Sequence, residues 1–152
     1  MLFYFLALLI VLIDQYLKQL VAGSMTLGQS VPIVNEFLKL TYVRNTGAAF
    51  SLFVGFSPYL AVIGVLVVVL VIYFHYKLPA KSLALQLGLA FLLGGSLGNL
   101  TDRLLHSYVI DYIDINIWPV FNFADIMINV GVFLIAFNFL RATDKPDAPH
   151  AV

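Results

Sequence analysis

Four long apolar segments constrain the fold of this chain more than any other feature of its sequence. A helix that crosses a bilayer needs about 20 mostly apolar residues. Segments of this kind cover residues 2–21, 58–76, 82–105 and 123–140. Hydrophobic residues make up 62% of the 152 residues, and the mean hydropathy is +0.99, which is more apolar surface than a soluble domain of this size can bury. The sequence therefore predicts one integral membrane domain over residues 1–142 and a polar, disordered tail over 143–152.

The two longer connections between these segments have the composition of β-strands. Residues 22–57 include VPIVNEFLKLTYVRN, which alternates and is rich in β-branched and aromatic residues. Residues 106–122 include the β-like run YVIDYIDINIW. The predicted fold class is a mainly α membrane protein, with four transmembrane helices and a small β-sheet between helices 1 and 2.

Lysine and arginine residues near the helix ends predict the orientation. The short second connection and the tail contain Lys77, Lys81, Arg141 and Lys145. The opposite side contains Lys39, Arg44 and Arg103. Because positive charge favours the cytoplasmic side, this count predicts a multi-pass protein with cytoplasmic termini and with both long connections outside the cell membrane.

Polar residues collect at one end of the four predicted helices, whatever the absolute orientation. Helices that alternate in direction bring the second half of helix 1, the end of helix 3, the start of helix 4 and both long connections together. The polar residues there are Asp14, Lys18, Asn45, Asn99, Asp102, Arg103, Asp111, Asn122 and Asp125. Ionisable groups in membrane helices are costly, so we regard this set as a candidate functional site.

Each part of this set also has an ordinary structural interpretation. Asp14 and Lys18 are four residues apart and can form a local ion pair. Arg103 and its neighbours can anchor the end of helix 3 by reaching the lipid headgroups. Asn122 can cap helix 4, with Asp125 at the third helical position. The meeting of all these groups at one place is what favours a functional interpretation.

Composition removes several function classes. Cysteine is absent and the three histidines are far apart, so thiol chemistry and the usual metal-ligand spacings are not expected. The net charge is zero, which gives no basic surface for nucleic acid. Residues 94–98 match G-x-S-x-G, but a nucleophile elbow needs a strand–turn–helix context. Inside an apolar helix, the same glycines predict close packing against another helix.

A carboxylate pair is the hydrolytic chemistry that remains. Two aspartates about 3 Å apart share one proton, and together they can activate a water molecule and polarise a peptide carbonyl. The candidates are Asp14, Asp102, Asp111 and Asp125, and spacing alone does not choose between them. Three other classes stay open: a small transporter or proton relay, an assembly factor, and a prepilin-type aspartyl peptidase.

Five motifs together resemble the lipoprotein signal peptidase family, also called signal peptidase II. They are DQYLK at 14–18, NTGAAFS at 45–51, GGSLGNLTDR at 94–103, VID at 109–111 and FNFAD at 121–125. All five occur in the order in which the family has them. The combination is much more specific than any one motif.

The resemblance implies an activity, partners and a location. It implies an aspartyl endopeptidase that removes signal peptides from diacylglyceryl-modified bacterial prolipoproteins, with water activated between two aspartates and without a metal or other cofactor. Its partners would be the lipidated prolipoprotein and membrane lipid. Apart from the resemblance, we expect a monomer and, from the balanced charge, no nucleic-acid partner. It would lie in the bacterial cytoplasmic (inner) membrane, with its active site and a β-cradle on the extracytoplasmic face.

The resemblance also assigns roles to individual residues. The catalytic pair falls on Asp111 and Asp125. The supporting and substrate-binding residues are Asp14, Lys18, Asn45, Gly47, Asn99, Asp102, Arg103 and Asn122. Among these, Asp102 matches an orienting residue but remains a rival for the pair. Phe50 and the valine-rich helices are expected to face acyl chains.

Overall fold

The computed structural model describes residues 1–35, 37–47, 57–78 and 82–143. These residues form four helices: α1 (Leu2–Ser24), α2 (Ser57–Lys77), α3 (Leu83–His106) and α4 (Phe123–Thr143). All four are long and apolar enough to cross a membrane, which confirms the predicted four-helix, mainly α fold. The predictions for Phe50, for Lys81 and for most of the tail concern residues outside the described ranges.

Helix α3 lies at the centre of the bundle and packs against α1, α2 and α4. The helices alternate in direction, so α1 and α3 end where α2 and α4 begin. We call this end of the bundle, next to the strands, the sheet end. It is the end at which the sequence gathers its polar residues.

Glycines on α3 let the neighbouring helices approach closely. A Cβ atom at Gly94 would lie 2.7 Å from the Cβ of Ile10 on α1. A Cβ atom at Gly98 would lie 2.5 Å from the carboxylate of Asp14, so the absence of a side chain there makes room for that charged group. Ser96 lies between these glycines inside α3 and not on the strand–helix turn of a nucleophile elbow.

A three-stranded antiparallel sheet covers the sheet end, in the order β1 (Ser30–Val34), β2 (Leu38–Asn45) and β3 (Val109–Asp114). The sheet is therefore not confined to the connection between the first two helices, since β3 comes from the connection between α3 and α4. In the β2–β3 register, Val43 lies opposite Asp111. Because β3 also packs against α1 and α3, Asp111 is held between the sheet and the helices.

Candidate active site

A buried lysine joins two helices at the sheet end. The Lys18 ammonium lies 2.8 Å from an Asp14 carboxylate oxygen and 3.0 Å from an Asp102 oxygen, and it donates a third bond of 2.9 Å to the Asn99 side-chain oxygen. All three protons of the ammonium thus have an acceptor. The exposed fractions of Asp14, Lys18 and Asp102 are 0%, 1% and 2%, and charges buried this deeply are tolerated only when they are paired. The predicted ion pair within one helix is in fact a triad that links α1 to α3.

The two aspartates of this triad hold the backbone next to the other two aspartates. Asp14 accepts a 3.0 Å bond from the backbone N–H of Ala124, the residue before Asp125. Asp102 accepts a 3.0 Å bond from the backbone N–H of Ile110, the residue before Asp111. The triad therefore fixes the first turn of α4 and the start of β3 relative to each other.

Gln15 belongs to the same network, although it was not among the predicted site residues. Its side-chain amide donates to Asp102 at 2.9 Å and to the Gly98 carbonyl at 3.1 Å. It also lies 3.3 Å from an Asp14 oxygen. The signal in the sequence is its place beside Asp14 within the DQYLK motif.

Two asparagine side chains connect Asp111 to Asp125. The Asn122 amide donates a 2.7 Å bond to Asp111 and a 3.1 Å bond to the Asn99 oxygen. The Asn99 amide in turn donates a 2.7 Å bond to Asp125. The two carboxylates therefore belong to one hydrogen-bond network, which brings together residues from β3, α3 and α4.

Asn122 and Asp125 also form the start of α4. The backbone N–H of Asp125 donates to the Asn122 side chain at 3.0 Å, and the backbone N–H of Asn122 donates to the Asp125 carboxylate at 3.2 Å. This reciprocal pair is a capping box. The structural interpretation of these two residues is thus correct, and the same cap holds the Asp125 carboxylate at the sheet end.

Asp111 is the aspartate with the clearest electrostatic perturbation outside the membrane helices. Its side chain is 2% exposed and accepts a 2.9 Å bond from the Asn45 amide; the Asn45 oxygen accepts the backbone N–H of Gly47. Burial, followed by the nearby charge of Asp125, raises the pKa of Asp111 to about 7. A carboxyl group with this pKa is available in both protonation states near neutral pH.

Arg103 supplies positive charge to the same region. It interacts electrostatically with Asp125 and Asp111, and its guanidinium lies 3.5 Å from the Gly47 carbonyl. Its Nε atom is buried and has no hydrogen-bond partner among the described residues. Arg103 thus places a positive charge beside both aspartates.

A cavity of about 620 Å³ opens beside these groups, within the range of about 300–1,000 Å³ typical of ligand pockets. Its polar wall consists of Asn45, Asn99, Arg103, Asp111 and Asp125. The remaining walls are formed mainly by apolar residues of β3, the following loop and the first turns of α4. Of the four candidate aspartates, all within the described ranges, only the last two along the chain line this cavity. No three histidine or acidic side chains in the described part of the chain are grouped as metal ligands would be.

All ten predicted site residues thus meet in one connected region at the sheet end. They differ in what surrounds them. The acids of the buried triad are bound by Lys18 and by backbone N–H groups, whereas Asp111 and Asp125 face the cavity.

Residues 6–141 match a family model described as signal peptidase (SPase) II. The chain belongs to the signal peptidase II family. Membership of this family makes it a membrane-spanning protease of lipoprotein processing, and it confirms the family resemblance that the five motifs predicted.

Relatives named lipoprotein signal peptidase share this sequence over most of its length. The protein from Moorella thermoacetica is 41% identical, over 91% of this chain and 92% of its own length. The protein from Desulfitobacterium hafniense is 43% identical, over 88% of this chain and 89% of its own length. The protein from Bacillus velezensis is 37% identical, over 95% of this chain and 97% of its own length.

Solved structures support the fold independently. A bacterial membrane enzyme determined by the in meso method at 2.3 Å resolution has a TM-score of 0.89 and 33% identity, and the match covers 97% of this chain and 92% of that one. A second bacterial membrane enzyme structure, at 1.9 Å resolution, has a TM-score of 0.83 and 34% identity, with 93% and 92% covered. The arrangement of helices and sheet in this chain is therefore that of a known bacterial membrane enzyme.

Proposed function

We propose that this protein is a membrane-embedded aspartyl endopeptidase that removes the signal peptide from diacylglyceryl-modified prolipoproteins, with Asp111 and Asp125 as its catalytic pair. The observation that carries the proposal is the different environment of the four aspartates. Asp111 and Asp125 line the cavity, while the carboxylates of Asp14 and Asp102 are bound by Lys18 in the buried triad. A substrate in the cavity would thus meet one particular pair of acids.

The pair would work by sharing one proton. The ionised member removes a proton from a water molecule, whose oxygen attacks the scissile carbonyl carbon, while the protonated member donates a hydrogen bond to the carbonyl oxygen. The tetrahedral intermediate then collapses as the C–N bond breaks, and the departing nitrogen takes the proton that came from water. The pKa of about 7 for Asp111 supports a pair that holds a single proton at neutral pH, and the two groups titrate as a unit.

The other predicted site residues would position this pair. Asn122 and Asn99 donate to the two carboxylates and so fix the directions of their oxygens. Asn45 donates to the second oxygen of Asp111. Arg103, which lines the cavity and interacts electrostatically with both aspartates, is suited to balance the negative charge of the intermediate.

We also propose the location that the sequence predicts. The protein would be a monomer in the bacterial inner membrane, with its termini in the cytoplasm and the sheet end outside. Because the chain has no cysteine, single cysteines at Ser107 and at Lys77 would report the side of each end through a thiol reagent that does not cross membranes. Labelling of the cysteine at 107 in intact cells, and of the one at 77 only after lysis, is the expected result.

Cleavage of a synthetic precursor, with and without its diacylglyceryl group, tests the activity. Asp111→Asn and Asp125→Asn should each lower kcat by about 10²–10⁴-fold, the usual contribution of a positioned acid or base. Asp114→Asn is the matched control, since Asp114 lies on the same strand and its carboxylate accepts bonds from Thr41 and from the backbone of residue 116.

Three results would contradict the proposal. They are full activity in either variant of the pair, an equal loss in Asp114→Asn, and cleavage that does not depend on the lipid. The last result would favour another type of intramembrane aspartyl peptidase. Thermal unfolding in detergent shows whether an inactive variant is still folded.

A further inference from the structure

Helix α4 exposes one amide that the proposed catalytic machinery does not use. Asn129 lies on an apolar membrane-spanning helix, and its side chain is exposed. Its amide nitrogen donates a 2.8 Å bond to the backbone carbonyl of Asp125, one turn earlier. The other asparagine of this helix, Asn138 in its C-terminal part, instead bonds to Ser82 at the start of α3. Asn138 thus joins two helices, as polar residues in membrane proteins usually do, and Asn129 does not.

The side-chain oxygen of Asn129 has no donor among residues 1–35, 37–47, 57–78 and 82–143. An unused acceptor on a membrane-spanning helix is costly unless a donor is supplied from outside the helix. Asn129 also lines the same cavity as Asp111 and Asp125. Asn129 is therefore part of the wall of the cavity in which the proposed substrate would bind.

The depth of Asn129 relates it to a position on a substrate. Four residues of helix rise about 6 Å, so Asn129 lies about that far inward of Asp125 along α4. An extended peptide advances about 3.3 Å per residue. A signal peptide that enters from the membrane interior therefore passes Asn129 about two residues before its scissile bond meets the aspartate pair.

We propose that Asn129 is a substrate-positioning residue whose side-chain oxygen accepts a hydrogen bond from the main chain of the signal peptide, about two residues before the bond that is cut. This inference rests on the proposed function. A signal peptide must leave its helical conformation before an aspartate pair can reach the scissile bond, and its N–H groups then lose their partners within the helix. Asn129 offers one of these groups an acceptor, and it does so for substrates of different sequence, because every residue except proline has the N–H.

Replacement of Asn129 by leucine removes the acceptor and keeps nearly the same size. In Asn129→Leu, we expect kcat/KM for the lipidated precursor to fall by about 3- to 10-fold, the usual effect of losing one hydrogen bond. The loss should be mainly in KM, with the pH profile of kcat unchanged, and Asn129→Gln should recover part of it. The control is Val132→Asn added to the Asn129→Leu protein. Val132 is 51% exposed on the same helix and lies outside the cavity lining, so an amide at this position should not restore the kcat/KM that Asn129→Leu loses.

Substrates with an ester in place of one amide test the contact directly. Precursors that lack the N–H one, two or three residues before the cut are compared in both enzymes. At one of these positions, the ester should lower kcat/KM of the wild-type protein by about the factor that Asn129→Leu causes with the normal substrate. The same ester should lower kcat/KM of Asn129→Leu only slightly. Wild-type cleavage of the normal precursor in the same assay shows that the proposed function holds whatever Asn129 does.

Two outcomes would overturn the assignment of Asn129. One is unchanged kcat/KM in Asn129→Leu. The other is an ester effect of equal size in both enzymes at all three positions, which means that the N–H and Asn129 do not interact. Failure of the wild-type protein to cleave any precursor would instead contradict the proposed function itself.

Discussion

Removal of the Lys18 charge should destabilise the protein more than any other single substitution at the site. In Lys18→Met, the apolar part of the side chain is kept, and the ammonium that lies 2.8 Å from Asp14 and 3.0 Å from Asp102 is lost. The two carboxylates remain buried, with exposed fractions of 0% and 2%.

The magnitude follows from this burial. Breaking a buried ion pair by removing one partner costs about 3–5 kcal/mol, because the remaining charge is left unpaired in a medium of low polarity. For a domain of this size, each 1 kcal/mol shifts Tm by about 2–4 °C. Lys18→Met should therefore unfold about 6–20 °C below the wild-type protein.

The assay is thermal unfolding in detergent, followed by fluorescence and checked by loss of cleavage activity. Lys77→Met is the control, because Lys77 is exposed near the end of α2, and a surface substitution of this kind changes stability by about 0.5 kcal/mol or less. Addition of Asp14→Asn and Asp102→Asn to Lys18→Met should recover part of the lost stability, since it removes the unpaired charges.

A Lys18→Met protein that unfolds within 1 °C of Lys77→Met would refute this reasoning. So would a triple variant that is less stable than Lys18→Met. Either result would mean that the buried charges do not depend on one another as the short distances indicate.

Three further predictions concern other parts of the site. Gly98→Ala, whose Cβ would lie 2.5 Å from the Asp14 carboxylate, should destabilise by about 1–3 kcal/mol in denaturation assays, whereas Gly23→Ala, with open space around it, should be neutral or slightly stabilising. The pKa of Asp111 is raised from 3.8 to about 7, so its contribution to stability is fully present below about pH 4 and is lost as the pH rises through 7. The Tm of the wild-type protein should therefore fall between pH 5 and 8, and the Tm of Asp111→Asn should fall less, because asparagine does not ionise. Asn122→Ala should lower the free energy of unfolding by about 0.5–2 kcal/mol, because the helix cap is lost. It should also lower kcat by more than the loss of folded protein accounts for, and cleavage and thermal unfolding measured on one sample distinguish the two effects.

The membrane helices were predictable from the sequence because hydropathy over about 20 residues is a local property. Both β-rich connections were also recognised from their alternation and composition. Their joining into one sheet was not, because β2 pairs with β3 across more than sixty residues of chain, and no local pattern specifies a partner at that distance. The third strand is the one that carries Asp111.

The membership of the site was predictable, and the environment of its members was not. Five motifs identified the polar residues that meet at the sheet end, yet spacing left four aspartates equivalent. The structure separates them through contacts between helices, since Lys18 reaches Asp102 on α3 as well as Asp14 on its own helix. Gln15 belongs to the DQYLK motif, but its bonds to Asp102 and Gly98 on α3 depend on the packing of two helices. Asn129 has no motif around it, and a single amide in an apolar helix indicates no role until its neighbours are known.

The sequence by itself determined that this chain crosses a membrane four times and gathers its polar residues at one end, because transfer of side chains into lipid depends on their own chemistry. The tertiary structure decided which carboxylates are neutralised and which face the cavity. That outcome depends on the distances between side chains of α1, α3, α4 and β3, where a displacement of a few ångströms determines whether a charge is paired.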